Sequence, residues 1–143
     1  MTEIALEPPC KPVICEIRDC IIDCINNATN YTVNKACGKE EVTVDVYFGN
    51  IQPAPGMQKK FGGCATGRRM TTQIFIEIEV RKCSTQSCEA GIAHQAIQNA
   101  ICNSGCCIQH IEYQGTEPQM DRKSKTEIWT DTYAIIYNDP EAK

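Results

Sequence analysis

Thr71-Thr72-Gln73-Ile74-Phe75-Ile76-Glu77-Ile78-Glu79-Val80-Arg81-Lys82 alternates without a break. Ile74, Ile76, Ile78 and Val80 fall on one side, and Glu77, Glu79 and Arg81 on the other. Successive side chains of an extended chain point to opposite faces, so this stretch reads as a strand with one face in a core and one in water. Upstream, Val42 to Phe48 repeats the pattern, with Val42, Val44, Val46 and Phe48 against Thr43, Asp45 and Tyr47. Between the two runs, residues 49–70 hold Pro53, Pro55, Gly56, Gly62, Gly63 and Gly67 and read as a projecting loop.

Further outward the period changes. From Val13 to Asn27, Ile14, Ile17, Ile21 and Ile25 form a stripe at three- and four-residue spacing, with Glu16, Asp19, Asp23 and Asn26 on the other side, and Asn26, Asn27 and Asn30 close the helix. Residues 1–12, with Pro8, Pro9 and Pro12, are expected to be an extended arm. Downstream, Ser87 can cap a second helix with an inner face of Ile92, Ala93, Ala96, Ile97, Ala100 and Ile101, stopped by Gly105. Two more alternating runs, Cys107 to Gln114 and Thr126 to Asn138, flank a polar stretch with Gly115, Pro118 and Asp121 and read as a long hairpin. The expected fold is a single α+β domain over residues 1–143 in the order α-β-β-α-β-β. Its antiparallel or mixed sheet has about four strands, with two helices on one face and a partly polar opposite face. Ile14, Ile17, Ile21, Ile74, Ile76, Ile78, Ile97 and Ile101 are expected to be buried together.

A chain of 143 residues buries about two-thirds of its unfolded surface and does not need disulfides merely to fold. Its eleven cysteines therefore call for another account. The chain opens Met1-Thr2-Glu3-Ile4 with no basic start and no apolar run behind it, so either a signal was removed ahead of residue 1 or the protein is made in a reducing cytosol, and the initiating methionine makes the second the expectation. A net charge of −4 argues against a general nucleic-acid binder, and Lys59, Lys60, Arg68 and Arg69 read as a solvated loop.

The cysteine spacings disfavour the usual chemistries. Cys10, Cys15, Cys20 and Cys24 are separated by four, four and three residues, without a paired C-x-x-C knuckle, and only His94 and His110 can supplement them. Cys20 and Cys24, one helical turn apart, can meet one metal, but half-buried small thiols also serve as packing. Cys88, near the second helix's start with Cys83 five residues upstream, is the best redox candidate, although the thioredoxin spacing is missing. Neither His94 nor His110 stands in a recognisable motif with a cysteine, and both read as solvated or satisfied. The glycine-rich stretch from Gly62 to Arg69 lacks the G-K-[ST] ending of a phosphate loop, and Glu77 and Glu79 read as a wet strand face. The expectation is a protein that is not an enzyme, with no cofactor and no metal.

Geometry sorts the disulfides in part. Cysteines four apart on a helix hold their Cβ atoms about 6 Å apart, beyond the ~4 Å of a disulfide, so Cys20 and Cys24 should not bond each other. Cys88 and Cys102 stand about 21 Å apart along one helix and cannot pair. Cys106 and Cys107, as strand neighbours, would serve opposite faces. An odd total leaves at least one free thiol or one bond between chains in a fully oxidised form.

Taken together, the first helix, the strand before Ile51-Gln52-Pro53-Ala54-Pro55-Gly56-Met57, the long strand from Thr72 to Val80, the alanine-rich helix and the terminal Tyr133-Ala134-Ile135-Ile136-Tyr137 make a layout. Over residues 13–138 that layout resembles the tail terminator and related neck proteins of tailed bacteriophages. The cysteines depart from the usual composition of that family. The resemblance implies a virion subunit of the tail or neck, made in the host cytoplasm and closing into a homomeric ring, expected to be a hexamer. Its implied partners are the tail tube and sheath proteins and the head-tail connector, with DNA only as passing cargo and no membrane. On a ring, Cys10, Cys15 and Cys64 are the expected positions for bonds between subunits, since the first and last sit in poorly anchored segments and Cys15 lies off the isoleucine stripe. Cys37, Cys83, Cys88, Cys106 and Cys107 are further thiols open to pairing. Cys20, Cys24 and Cys102 are expected to be reduced or bonded within the subunit. The competing expectation is a cysteine-based redox or metal-binding small protein.

Overall fold

A computed structural model describes residues 12–37, 41–54, 68–81, 88–102, 106 and 108–139. Helix α1 (Val13–Ala28) starts directly after Pro12, whose carbonyl accepts from the amides of Cys15 and Glu16. Proline suits this boundary because it needs no amide donor there. Thr29 ends the helix with both its amide and its hydroxyl on the carbonyl of Ile25. Strands β1 (Val42–Phe48), β2 (Gln52–Pro53) and β3 (Arg68–Val80) follow, then helix α2 (Glu89–Cys102) and strands β4 (His110–Asp121) and β5 (Thr126–Asp139). The sheet runs β1-β3-β5-β4, with β2 paired beside β1 on β3, and every strand pair is antiparallel.

Both helices lie on one face. Ile17, Ile21 and Ile25 of α1 and Ala93, Ile97 and Ile101 of α2 meet Val42, Val44 and Val46 of β1, Ile74, Ile76, Ile78 and Val80 of β3, and Tyr133, Ile135 and Tyr137 of β5 in one core. Each fully buried isoleucine contributes about 1.5–3 kcal/mol of transfer free energy. The expected core set is buried as read from periodicity, apart from Ile14, which packs on its edge half-buried. The alternating residues of β1, β3 and β5 face the other way, where among the described residues no helix covers them.

Several boundaries differ from the periodicity reading. Residues 49–70 are not wholly a loop: Gln52–Pro53 pairs with Thr71 and Met70, and β3 begins at Arg68, three residues early. The stretch with Gly115, Pro118 and Asp121 is not the hairpin connection but part of β4; the turn is residues 122–125. Gly115 and Pro118 fit there because one occupies a bulge and the other lies on an edge strand, where a missing amide costs no ladder bond. That strand begins at His110 rather than Cys107. Ile92, expected inside, is 57% exposed, because the buried stripe of α2 runs through Ala90, Ala93, Ile97, Ala100 and Ile101. The expected arm over 1–11, the loop core over 55–67, Ser87 and Gly105 lie outside the described residues.

Candidate functional site

Among the described residues the fold assembles two groups of chemically active side chains. The first is sulfur. Cys20 and Cys24 stand one turn apart on α1, and Cys106 arrives from the connection between α2 and β4. Cys20 and Cys106 are joined as a disulfide with Cα atoms 5.9 Å apart, across 86 residues of sequence. The Cys24 sulfur completes the group: all three sulfurs lie within 4.8 Å of one another, each half-buried. As helix geometry required, Cys20 and Cys24 are not bonded to each other.

A cavity of about 880 Å³ opens beside the cluster between the two helices. From α1 it is lined by Glu16, Asp19, Cys20, Asp23 and Cys24, while Ala96 and Ala100 of α2 keep the opposing wall low. Three carboxylates around two cysteines give the cavity a field that favours cations.

The second group is a polar chain under the edge of α2. Asp131 is wholly buried on β5, in the row with Ile76 on β3 and Thr116 on β4. Its Oδ2 lies 2.7 Å from Nδ1 of His94, and its Oδ1 accepts from the hydroxyl of Thr116 at 2.6 Å. A single hydrogen shared along this contact joins the imidazole to the carboxyl group. Thr116 has donated its single hydrogen to Asp131 and therefore accepts from the hydroxyl of Tyr113. The imidazole is bounded by Trp129 and Tyr113, with ring centres 5.8 and 6.1 Å away.

A register shift makes this chain possible. Tyr113 pairs with Tyr133 and Thr116 with Asp131, two residues apart on β5 but three apart on β4. The bulge at Gln114 and Gly115 absorbs the extra residue, so both side chains face α2; a regular strand would turn one of them to the opposite face. Every oxygen of Asp131 is then bonded, as a buried carboxylate requires. The group ties α2 to the sheet and to the edge strand, and Tyr113 bonds to Thr116 and Thr116 to the carboxylate, so neither hydroxyl stands beside the imidazole as an activated nucleophile.

The other sequence candidates are spread out. Cys15 is a half-buried thiol on α1, Cys37 donates to the carbonyl of Lys35, and Cys88 is an exposed thiol before α2. None of these three joins the sulfur cluster. Cys10, Cys64, Cys83 and Cys107, and the side chain of Cys102, lie outside the described residues. His110 is exposed on β4, as read, and His94 is satisfied by Asp131. Sequence reasoning missed Asp131, although a signal was present: it sits in phase with Trp129, Tyr133, Ile135 and Tyr137, a carboxylate on the apolar side of an alternating run.

The open sheet face is acidic. Asp45, Glu77, Thr130 and Glu117 are register partners in one row across β1, β3, β5 and β4. Tyr47 stacks on Phe75 beside this row with ring centres 5.3 Å apart. Its phenol is pushed above the ordinary range, first by partial burial and then by the nearby carboxylates Glu77 and Asp45. Among the described residues no helix is long and apolar enough to cross a membrane. No protein-family model matches the chain, and no curated protein is significantly similar to it.

Proposed function

We propose that this chain is a non-enzymatic, ring-forming subunit of a tailed-phage virion, acting as a tail terminator at the head-proximal end of the tail tube. The observation that carries the reading is the uncovered side of the sheet together with the edge strand β4, a 12-residue strand exposed along most of its length. An unpaired edge of that length is a template for another chain, and a closed ring of identical subunits satisfies such edges without leaving one open. The acidic row suits a ring around passing DNA, because a lining that does not grip phosphates lets the duplex slide. Tail tube, sheath and connector proteins are the proposed neighbours, and the virion tail or neck the proposed location.

Light scattering after size exclusion, and native mass spectrometry, test the ring. The expected result is a single closed multimer, hexameric on this reading, in the purified chain or in the particle that contains it. A monomer in both would overturn the proposal. Bonds between subunits at Cys10, Cys15 or Cys64 belong to the same reading. Non-reducing electrophoresis of oxidised particles should then give a ladder of covalent multimers that disappears when all three are changed to serine, and a ladder that survives the triple change rules those positions out.

A further inference from the structure

We propose that Cys20, Cys24 and Cys106 form a redox-gated site for one thiophilic divalent cation of the zinc type, closed when Cys20 and Cys106 are bonded and competent when they are reduced. The inference is independent of the ring reading, and needs only that the chain meet a reductant.

The donor set and its spacing support this. A tetrahedral zinc with sulfurs at ~2.3 Å holds them about 3.8 Å apart, and the three sulfurs here all lie within 4.8 Å. Two ligands four residues apart on a helix face a single point, the arrangement helices use to supply two ligands to one metal. Cys106 comes from a different element, so the triangle is not confined to one helix. Half-burial of all three cysteines limits competition by water, while the adjoining cavity provides access and room for a fourth ligand, either water or a carboxylate. Glu16, Asp19 and Asp23 on its wall draw a cation toward thiolates that would otherwise repel one another.

The gating follows from the electron count. In the bonded form two of the three sulfurs share an S–S bond and offer no thiolate. A thiol reductant breaks that bond: two equivalents of R–SH become R–S–S–R, and Cys20 and Cys106 become thiols. Three thiols then bind one divalent ion and release three protons. In the reverse direction a small-molecule disulfide R–S–S–R takes two electrons from Cys20 and Cys106 and leaves as two R–SH, the Cys20–Cys106 bond reforms, and the metal, left with the Cys24 sulfur alone, is released. Cys24 is outside the bond and is the ligand whose only part in this scheme is metal binding, which makes it the discriminating position.

Titration of the full chain with Co(II), followed by displacement with Zn(II), tests the site. Co(II) serves as the probe because its thiolate charge-transfer band and tetrahedral visible bands report sulfur ligation. The reduced, metal-free chain should take up Co(II) with both bands, and the oxidised chain should take it up only after reduction. Cys24→Ser, which leaves the disulfide intact and should keep the parent's circular dichroism, should weaken binding by at least about tenfold. Cys15→Ser, outside the cluster, should change nothing and controls for the many other thiols. Absence of the bands in the reduced chain would overturn the proposal, as would a Cys24→Ser variant that binds as the parent does, which would place the metal on other cysteines.

Discussion

Tyr31 illustrates how a single residue can carry a pH dependence into the whole fold. Its ring is buried among the core residues after α1, and its hydroxyl donates to Glu89 at the start of α2 at 2.8 Å. Burial first, and then the bond to a carboxylate that cannot tolerate a phenolate beside it, push its pKa up to about 12. An unfolded tyrosine releases its proton near pH ~10. Below that pH both states hold the proton and the interaction contributes in full. Between about 10 and 12 the unfolded chain has lost a proton that the folded one retains, so stability falls as pH rises. Tyr31→Phe should therefore be less stable than the parent at pH 8, and the gap should narrow as the pH passes 10. Urea midpoints at pH 8 and pH 11 measure this; an unchanging gap would mean that the Tyr31 proton does not govern the alkaline loss. Asp131 belongs to the same scale: its chemistry follows from being a fully buried carboxyl group, and so from the two neighbours that bond it, His94 and Thr116.

Among the elements, β4 departs furthest from an ideal geometry, and the departure has a use. Gly115 sits at φ +131°, a region that side chains rarely enter, and a Cβ built there would meet nothing within 4 Å. The position demands glycine for its backbone, not for space. Gly115→Ala should destabilise by ~1–3 kcal/mol through backbone strain alone, measured as a shift in the denaturation midpoint. A loss below ~0.5 kcal/mol, the ordinary range for surface changes, would show that the bulge can relax and that Thr116 does not depend on it. The helices follow their stripes more closely: α1 buries Ile17, Ile21 and Ile25 as its spacing dictates. In α2 a run of alanines and the packing of Gly91 against Trp129 move the buried face so that Ile92 turns outward. Small residues weaken the periodic signal, so the neighbour's shape sets the rotation.

At the scale of the molecule, the Cys20–Cys106 bond ties the first helix to the connection after the second across 86 residues. A cross-link over a loop that long removes much of the freedom of the unfolded chain. Reduction in the presence of a chelator should lower the unfolding free energy by ~2–4 kcal/mol, the usual range for a native disulfide. Cys20→Ser should reproduce that loss under oxidising conditions, whereas Cys24→Ser should not. Equal stability of the reduced and oxidised chains would show that the helices and sheet hold together without the bond. The same scale carries the ring proposal, because the open face and the β4 edge are properties of the assembled sheet and of no single strand.

What the sequence determined by itself was local. Alternation from Thr71 to Val80 and from Val42 to Phe48, and the isoleucine stripe of α1, specify strand, strand and helix, because periods of two and of 3.6 are properties of neighbouring residues and one apolar face must be buried. The two-layer α+β architecture and most of its core follow from those periods. Glycine and proline misled the reading of β4, since the same residues that end a strand also serve in a bulge or on an edge. Tertiary structure alone decided the order β1-β3-β5-β4, the pairing of His94 with Asp131 37 residues away, and the meeting of Cys20 and Cys24 with Cys106. Spacing along the chain could forbid a bond between Cys20 and Cys24, because both lie on one helix of known pitch. It could not select Cys106, because that choice depends on where the end of α2 comes to rest against α1, which the packing of both helices on a shared sheet sets.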